Sequence, residues 1–344
     1  MDNDNDKREN ESVIQQTENV PRRSKGSRVC GHLKRFWWLY LVVAILLILL
    51  VVLLVIFVGV KNIAQHRINK AVLEVQGITC TNTQTNNFTM GINTTLTSDS
   101  TKATVEAFEG VMYLEDEPSH TPFVTILFPE THNKPFQTIN ITQFVDIPNL
   151  DALTTFNTWL LANDSLRVTV KGDTHVKVSG ISHRYPVTFK KTVTLAGLRH
   201  FDGISGSNSS ISATGFPDGT NFRTTVVIPN HSLVTFEIGN VSFTSYLNEK
   251  VVGTSYIDNV LLVPGNNTYA LRANISQGPI ITGVTNQPYC KTGILPFQLS
   301  GLADVNKDQP LPYFSNALAA SNSSIDLDLD TPLRALGLNP SCPS

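Results

Sequence analysis

Beyond residue 60 this sequence has no basic block, no phosphate-cradling glycine loop and no catalytic signature, and each absence narrows what the chain can do. Residues 61–344 carry 18 Lys and Arg against 22 Asp and Glu, without clusters, which excludes a nucleic-acid binder. There is no Gly-x-Ser-x-Gly elbow, His-Glu-x-x-His, phosphate loop, Gly-x-Gly-x-x-Gly or Cys-x-x-Cys. Hydrolytic, metalloprotease, nucleotide and thiol-redox chemistry therefore lack their usual marks. Neither a cofactor nor an enzymatic activity is expected.

A different absence defines the first part of the chain. Residues 39–60 contain no charge and no proline, and 19 of these 22 residues are Leu, Ile, Val or Phe. As a helix they span roughly 33 Å, enough for a bilayer core of about 30 Å, and their insertion gains on the order of 8 kcal/mol. Phe36, Trp37, Trp38 and Tyr40 stand at the entry end, where aromatic rings favour the headgroup layer. The 20 residues before Phe36 hold six cations (Arg22, Arg23, Lys25, Arg28, Lys34, Arg35) and the 20 after Val60 hold three (Lys61, Arg67, Lys70). That bias places the N-terminus in the cytosol. A cleaved leader would have an apolar core of about 7–15 residues and a small-residue cleavage site, so the segment reads as an uncleaved signal anchor, type II. Residues 1–36, polar and Asn/Asp-rich at first and then basic, read as a disordered cytosolic tail, 37–60 as the anchor and 61–70 as a stalk.

Asn-x-Ser/Thr sequons agree with this topology. Ten follow the anchor, at Asn87, Asn93, Asn140, Asn163, Asn208, Asn230, Asn240, Asn266, Asn274 and Asn322, and one precedes it, at Asn10. Cys30 lies six residues before the aromatic girdle and is a palmitoylation candidate. Cys80, Cys290 and Cys342 fall on the oxidising side, so one pair can bridge and one thiol is left over; Cys290 with Cys342 would tie down the C-terminal tail, Cys80 with Cys290 would join two halves.

The 284 residues after the anchor suffice for two domains, and they read as strands. Phe88, Met90, Ile92, Thr94 and Leu96 alternate with polar residues, as do Ile139 and Ile141, Leu166, Val168 and Val170, and Phe222, Thr224, Val226 and Ile228. Turn signals such as Pro217-Asp218-Gly219 and Pro264-Gly265-Asn266 separate the runs, a sandwich pattern. One stretch has helical spacing instead: Leu150, Leu153, Phe156, Trp159 and Leu160, with Asn149 placed to cap it and Asn163-Asp164 to end it. Leu311, Phe314 and Leu318 followed by Ile325, Leu327 and Leu329 repeat that helix-then-strand course, which suggests a duplication with domains at 71–192 and 193–344. The expected fold is mainly β: one N-terminal transmembrane helix, then two fibronectin/immunoglobulin-like β-sandwich domains, each with a short covering helix.

Residues 73–114, with the Ile78-Thr79-Cys80-Thr81-Asn82 turn region, the 88–96 strand and Ala103-Thr104-Val105, carry a resemblance. So do Val226-Val227-Ile228-Pro229-Asn230, the 241–246 strand, Val252-Gly253, and Val263-Pro264-Gly265 before Tyr269-Ala270-Leu271. Together they resemble a fungal family of single-span membrane proteins of unknown function whose lumenal domains look like late-embryogenesis-abundant group 2 (water-stress and hypersensitive-response) domains. Pro229 precedes Asn230 here, whereas in the plant domain Asn precedes Pro. The resemblance implies a fibronectin-like sandwich, a type II anchor, a vacuolar or endolysosomal membrane and, for a vacuolar fungal member, a role in autophagy control. It brings no catalytic residues. Topology by itself leaves the plasma membrane open.

The remaining chemistry is sparse. Asp326, Asp328 and Asp330 alternate in a strand and could hold a divalent cation through carboxylate oxygens, similar to the Asp-x-Asp of nucleotide-sugar glycosyltransferases. Those enzymes need alternating strands and helices, so the favoured reading is a strand with Ile325, Leu327 and Leu329 inward and the acids in water. His120, His132, His175 and His183 lack metal-ligand spacing and read as solvated. The stripe Leu153, Phe156, Trp159 and Leu160 reads as core, or else as the lining of an apolar groove for an acyl chain. The chain is thus expected to be a membrane glycoprotein acting as a binding or scaffold module, with lumenal protein partners. A tethered lipid-binding module and a metal-dependent glycosyltransferase are the alternatives.

Overall fold

The computed structural model describes residues 27–98, 103–132, 134–339 and 341–342. The chain divides into two compact units, the first ending at Val58 and the second running from Gly59 to Ser344. Helix α1 (Ser27–Leu54), a π-helical turn (Val55–Gly59) and helix α2 (Val60–Lys70) follow one another directly. Among the described residues, one helical stretch, Trp37–Lys70, is long and apolar enough to cross a membrane. Residues 1–26 of the expected disordered tail lie outside the described residues. From Ser27 the backbone is helical instead, since Arg, Leu and Lys are good helix formers that extend a helix the apolar run has already nucleated.

The second unit is mainly β. Its first half holds β1 (Val72–Thr81), β2 (Asn87–Thr97), β3 (Ala103–Val105), β4 (Phe108–Leu114), β5 (Val124–Phe128), β6 (Thr131–His132), β7 (Phe136–Asp146), α3 (Leu150–Ala162), β8 (Ser165–Val178) and β9 (Arg184–Ala196). Its second half holds β10 (Ser205–Ile211), β11 (Phe222–Asn230), β12 (Val234–Leu247), β13 (Lys250–Leu262), β14 (Gly265–Ile275), α4 (Gln277–Thr285), β15 (Ile294–Asn306), β16 (Gln309–Pro310), α5 (Pro312–Ala320), β17 (Ser323–Asp328) and α6 (Asp330–Ala335).

Alternation becomes layering in the first half. Strands β1, β2 and β7 form one antiparallel layer, with Ile92 opposite both Ile78 and Ile141. The facing layer runs β5-β4-β8, with β3 and β9 also on β8. Phe88, Met90 and Ile92 of β2 and Leu166, Val168 and Val170 of β8 turn inward, each at most 8% exposed. Burying a side chain of this size gains about 1.5–3 kcal/mol, and the alternation directs that gain to one face of each strand.

In the second half the sheet order is β10-β11-β14-β13-β12, with β15 on the other edge of β12 and β17 on β15. Strands β10 and β17, at the two ends of that path, lie beside each other, so the layer curls nearly closed. The start of β12 pairs in parallel with β1 (Ile78 opposite Val234, Cys80 opposite Phe236), and its remainder pairs with β15. Gly239 sits where β12 changes neighbours, at φ +84°; a Cβ there would stand 2.6 Å from the Val305 carbonyl oxygen.

That parallel pairing corrects the expected domain division. A boundary between residues 192 and 193 falls inside β9, where Thr192 and Val193 pair with Thr169 and Val168. One hydrophobic core runs from Ile78 through Phe156 and Phe236 to Leu333, so the halves share both a sheet and a core. A turn-and-repeat reading cannot see a parallel contact made between strands more than 150 residues apart. The expected stalk at 61–70 is helix α2, part of this same unit.

Both helix-then-strand segments form. Asn149 Oδ1 accepts from the Ala152 amide at 2.9 Å at the start of α3, and Asn163 ends it. Helices α3 and α5 pack against each other over the junction of the halves. There Asn157 Nδ2 donates to the Tyr313 carbonyl (3.1 Å) and the Tyr313 hydroxyl donates to the Gln84 carbonyl (2.8 Å). Helix α4 has no sequence signal: Gly278, Pro279 and Gly283 depress its intrinsic propensity, and the burial of Ile280 and Val284 holds it in place.

Candidate functional site

A cavity of about 320 Å³ lies between the two layers of the first half. Its floor is made by Ile78, Met112 and Leu195, none more than 5% exposed. Leu73, Val75 and Leu96 line one wall, and Val176, Val178 and Val193 the other. Most of these are short β-branched or small side chains that cannot meet across two layers set about 10 Å apart, so the space between them stays open. Helix α2 lies along the far side, contributing Val60, Ile63, Ala64, Arg67 and Ile68. Ile63 is 56% exposed, so the cavity passes from a sealed floor to a rim at the surface.

Two wall hydroxyls donate to carbonyls of the neighbouring segment. Thr94 Oγ1 donates to the Ile139 carbonyl (3.1 Å) and Ser98 Oγ to the Lys134 carbonyl (3.0 Å), leaving the interior almost wholly hydrocarbon. Helix α2 is pinned by side chains that mimic a strand. Gln65 Nε2 donates to the Thr188 carbonyl (2.8 Å) while Gln65 Oε1 accepts from the Thr188 amide (2.9 Å), which satisfies an edge position of β9. Lys191 Nζ donates to the carbonyls of Asn69 (2.9 Å) and Ala71 at the C-terminal end of α2, where cations are favoured, and burial holds its pKa below the usual lysine range.

Sequence comparison places part of this region in a known alignment. Residues 121–245 match the family described as "Protein of unknown function (DUF3712)". The match covers just over a third of the chain, from β5 to most of β12, and so crosses the junction between the halves. No curated protein matches the chain. Among solved structures, it is similar to a bacterial adhesin from Mobiluncus mulieris containing intramolecular disulfide, isopeptide and ester bond cross-links (9% identity, 75% of this chain and 98% of that one, TM-score 0.20). It is likewise similar to the CupB6 tip adhesin from Pseudomonas aeruginosa (10% identity, 74% and 98%, TM-score 0.18). Likenesses this distant carry no argument about the fold or its use.

The α3 stripe packs as core, and the alternative groove along it is not where the space lies. Leu153, Phe156 and Leu160 are buried and Trp159 packs half-buried against the same core. Only a void of about 30 Å³ remains beside Leu153 and Phe156, because α5 lays Tyr313 and Phe314 over them. The strand residues that do line space carry no mark of a site in the sequence, since each reads as an ordinary inward strand position. The available signal was their size: Val75, Ala103, Val105, Val176 and Val178 are small for positions that face an opposing sheet.

Cys290 and Cys342 are joined, with Cα atoms 5.0 Å apart across a separation of 52 residues, and Cys80 is a free thiol. Burial pushes the Cys80 pKa up to about 12, which makes it a poor nucleophile. Cys30 lies on the backbone of α1. Of the sequon asparagines, Asn93, Asn140, Asn163, Asn208, Asn240, Asn266, Asn274 and Asn322 are exposed, and Asn87 is half-buried. Asn230 is 3% exposed and its Nδ2 donates to the carbonyls of Val234 (2.8 Å) and Leu262 (3.3 Å), which leaves no room for a glycan.

Ile325 and Leu327 of β17, and Leu329 just after it, point inward, while Asp326 and Asp328 point outward. Asp328 Oδ1 accepts from the Asp330 amide (3.0 Å), Thr331 Oγ1 donates to Asp328 Oδ2 (2.6 Å), and Asp330 pairs with Arg334 at 2.6 Å. These acids organise the start of α6. His120, His132, His175 and His183 are exposed on separate loops and strands. His120 Nε2 contacts the Glu115 carbonyl, and His175 lies 4.0 Å from Glu106.

The carboxylate most displaced from its ordinary state is Asp304 of β15, which no motif marks. It is 2% exposed, neither carboxyl oxygen has a hydrogen-bond partner, and burial pushes its pKa up to about 8. It lies under α5, near Tyr313, whose pKa is also raised by burial.

Proposed function

We propose that this chain is a non-enzymatic, single-span membrane glycoprotein whose β body binds lipid, with an acyl chain in the cavity between the layers of its first half. One observation carries this reading: the cavity is lined by hydrocarbon, has a sealed floor and reaches the surface beside α2. Its size stands at the small end of the roughly 300–1,000 Å³ typical of ligand sites, which suits one chain rather than two. A purely structural module gains nothing from leaving this volume unfilled, since each missing methylene contact forgoes about 1 kcal/mol. A chain that carries its own membrane span has a bilayer as the natural source of such a ligand.

The orientation that supports this use has a cytosolic N-terminus and a lumenal or extracellular body. It rests on six cations before the apolar run against three after it, and on the ten sequons beyond it. The family resemblance favours a vacuolar or endolysosomal membrane.

Photo-crosslinking tests the reading on the full chain. Cells expressing it are fed a diazirine-bearing fatty acid, irradiated, and adducts are mapped by peptide mass spectrometry. Labelling of β1, β2, β8 and β9 at inward positions, abolished by Val75→Phe, is expected. Labelling confined to residues 37–60 overturns it.

A further inference from the structure

Strand β7 is a sheet edge without the usual guards. Among the described residues it pairs only with β2, so its other side offers a row of amides and carbonyls to a further strand. Natural edges are blunted by lysine, proline or a bulge, yet residues 136–144 hold no charge, no proline and no glycine, and they pair with β2 without a break in register. Phe136 and Phe144, toward its two ends, are 64% and 60% exposed. Leu127 of β5, 61% exposed, lies beside the same edge, its amide donating to Gln143 Oε1 (3.2 Å).

The order of the residues says what this edge fits. Phe136-Gln137-Thr138-Ile139-Asn140-Ile141-Thr142-Gln143-Phe144 reads the same in both directions about Asn140. When a strand pairs antiparallel with its own copy about a two-fold axis at residue 140, Phe136 meets the partner's Phe144, Thr138 the partner's Thr142, and Ile139 the partner's Ile141. These are the aromatic, hydroxyl and β-branched pairs that stabilise a sheet across strands. The same register sets Lys134 against the partner's Asp146, both exposed, so opposite charges close each end. It also sets Gln137 across from the partner's Gln143, and the Nε2 of each glutamine is buried without a hydrogen-bond partner within one copy.

We propose that β7 is a self-association edge, pairing antiparallel with β7 of a second copy of this chain about Asn140, and that a glycan on Asn140 holds it closed. Thr138, Asn140 and Thr142 are exposed on the outer face of β7, away from the core. The two Asn140 side chains would therefore emerge on one face at the axis, with Cα atoms about 4.5–5.5 Å apart. Two glycan stems do not fit at that separation, so pairing requires that at least one copy lack its glycan. The Asn140-Ile141-Thr142 sequon thus guards the edge as charge does elsewhere.

The test uses the full chain in detergent, where two copies can meet in any orientation. Asn140→Gln and Asn140→Lys both remove the sequon at an exposed position, and they differ only if residue 140 meets its own copy. Size-exclusion chromatography with light scattering should show Asn140→Gln dimerising about tenfold more tightly than the glycosylated wild type, and Asn140→Lys staying monomeric because like charges face each other at the axis. In a Cys30→Ser background, Asn140→Cys should form a crosslinked dimer under mild oxidation, since the separation at the axis matches that of a disulfide. Thr138→Cys combined with Asn140→Gln should crosslink at least about tenfold less, because residue 138 lies four positions, about 13 Å, from its own copy. Equal assembly of Asn140→Gln and Asn140→Lys overturns the proposal. So does crosslinking at 138 equal to that at 140, or a monomeric Asn140→Gln together with no crosslink from Asn140→Cys.

Discussion

The two halves of the β body use the same alternating strands and end up as different objects. In the second half the layer curls until β10 meets β17, and α4, α5 and α6 help to close it; Leu295, Ile325 and Leu329 are at most 1% exposed. In the first half two separate layers face each other, sealed at one end by α3 and α5 and lined along the other by α2, and Leu73, Val75 and Leu96 stay half-buried around empty space. Alternation decides which residues turn inward. Whether they touch one another depends on closure and on side-chain size, and that separates a solid body from a container.

The largest expected effects concern the second half. Removing the disulfide with Cys290→Ser and Cys342→Ser frees a loop of 52 residues and should cost about 4 kcal/mol of stability on the loop-entropy estimate, read by thermal unfolding under non-reducing conditions. A loss below about 1 kcal/mol would mean that α4 and the shared core hold the C-terminal segment unaided. Next, truncation should be felt unequally. Leu295→Ala, in the filled core, should cost about 3 kcal/mol, whereas Val75→Ala, beside the cavity, should cost less than about 1 kcal/mol. Equal costs would erase the contrast between the halves.

Asp304 makes the second half sensitive to pH. Its folded pKa, about 8, lies above the ordinary 3.8, so the folded state keeps a proton that the unfolded chain releases. Stability is therefore fully present below about pH 4, falls by up to about 1.4 kcal/mol per unit as pH rises toward 8, and then levels off. Asp218, held down to about 2 by hydrogen bonds from Thr220 and Arg223, loses its contribution only at lower pH. Thermal scans from pH 5 to 8 should show the melting temperature falling with pH in the wild type and a flatter profile in Asp304→Asn. A steeper profile in the variant would contradict the assignment. The smallest effect distinguishes surfaces: Asn93→Gln and Asn140→Gln should each remove one glycan with little change in stability. Asn230→Gln should leave glycan mass unchanged yet cost about 1–2 kcal/mol through its lost hydrogen bonds, and a glycan lost with it would refute the burial argument.

Much of the local architecture was legible in the residues. The apolar run, the period-two strands, Asn149 as a helix cap and the outward acids of β17 follow from interactions within a few residues, which a linear pattern records directly. The cavity was not legible, because Val75 and Val176 look the same whether the opposing side chain reaches them or not. Asp304 was equally silent, since nothing adjacent in the chain reveals that α5 covers it.

By itself the sequence determined that one helix suits a bilayer and that the rest alternates into layers, because transfer free energy and backbone geometry act residue by residue. Only the tertiary structure decided that β1 joins β12, that Cys290 bonds Cys342, that Asn230 is sealed inside, and that the first pair of layers stays hollow. Each of these depends on how distant segments approach one another, and packing density is a property of that approach rather than of any stretch of chain.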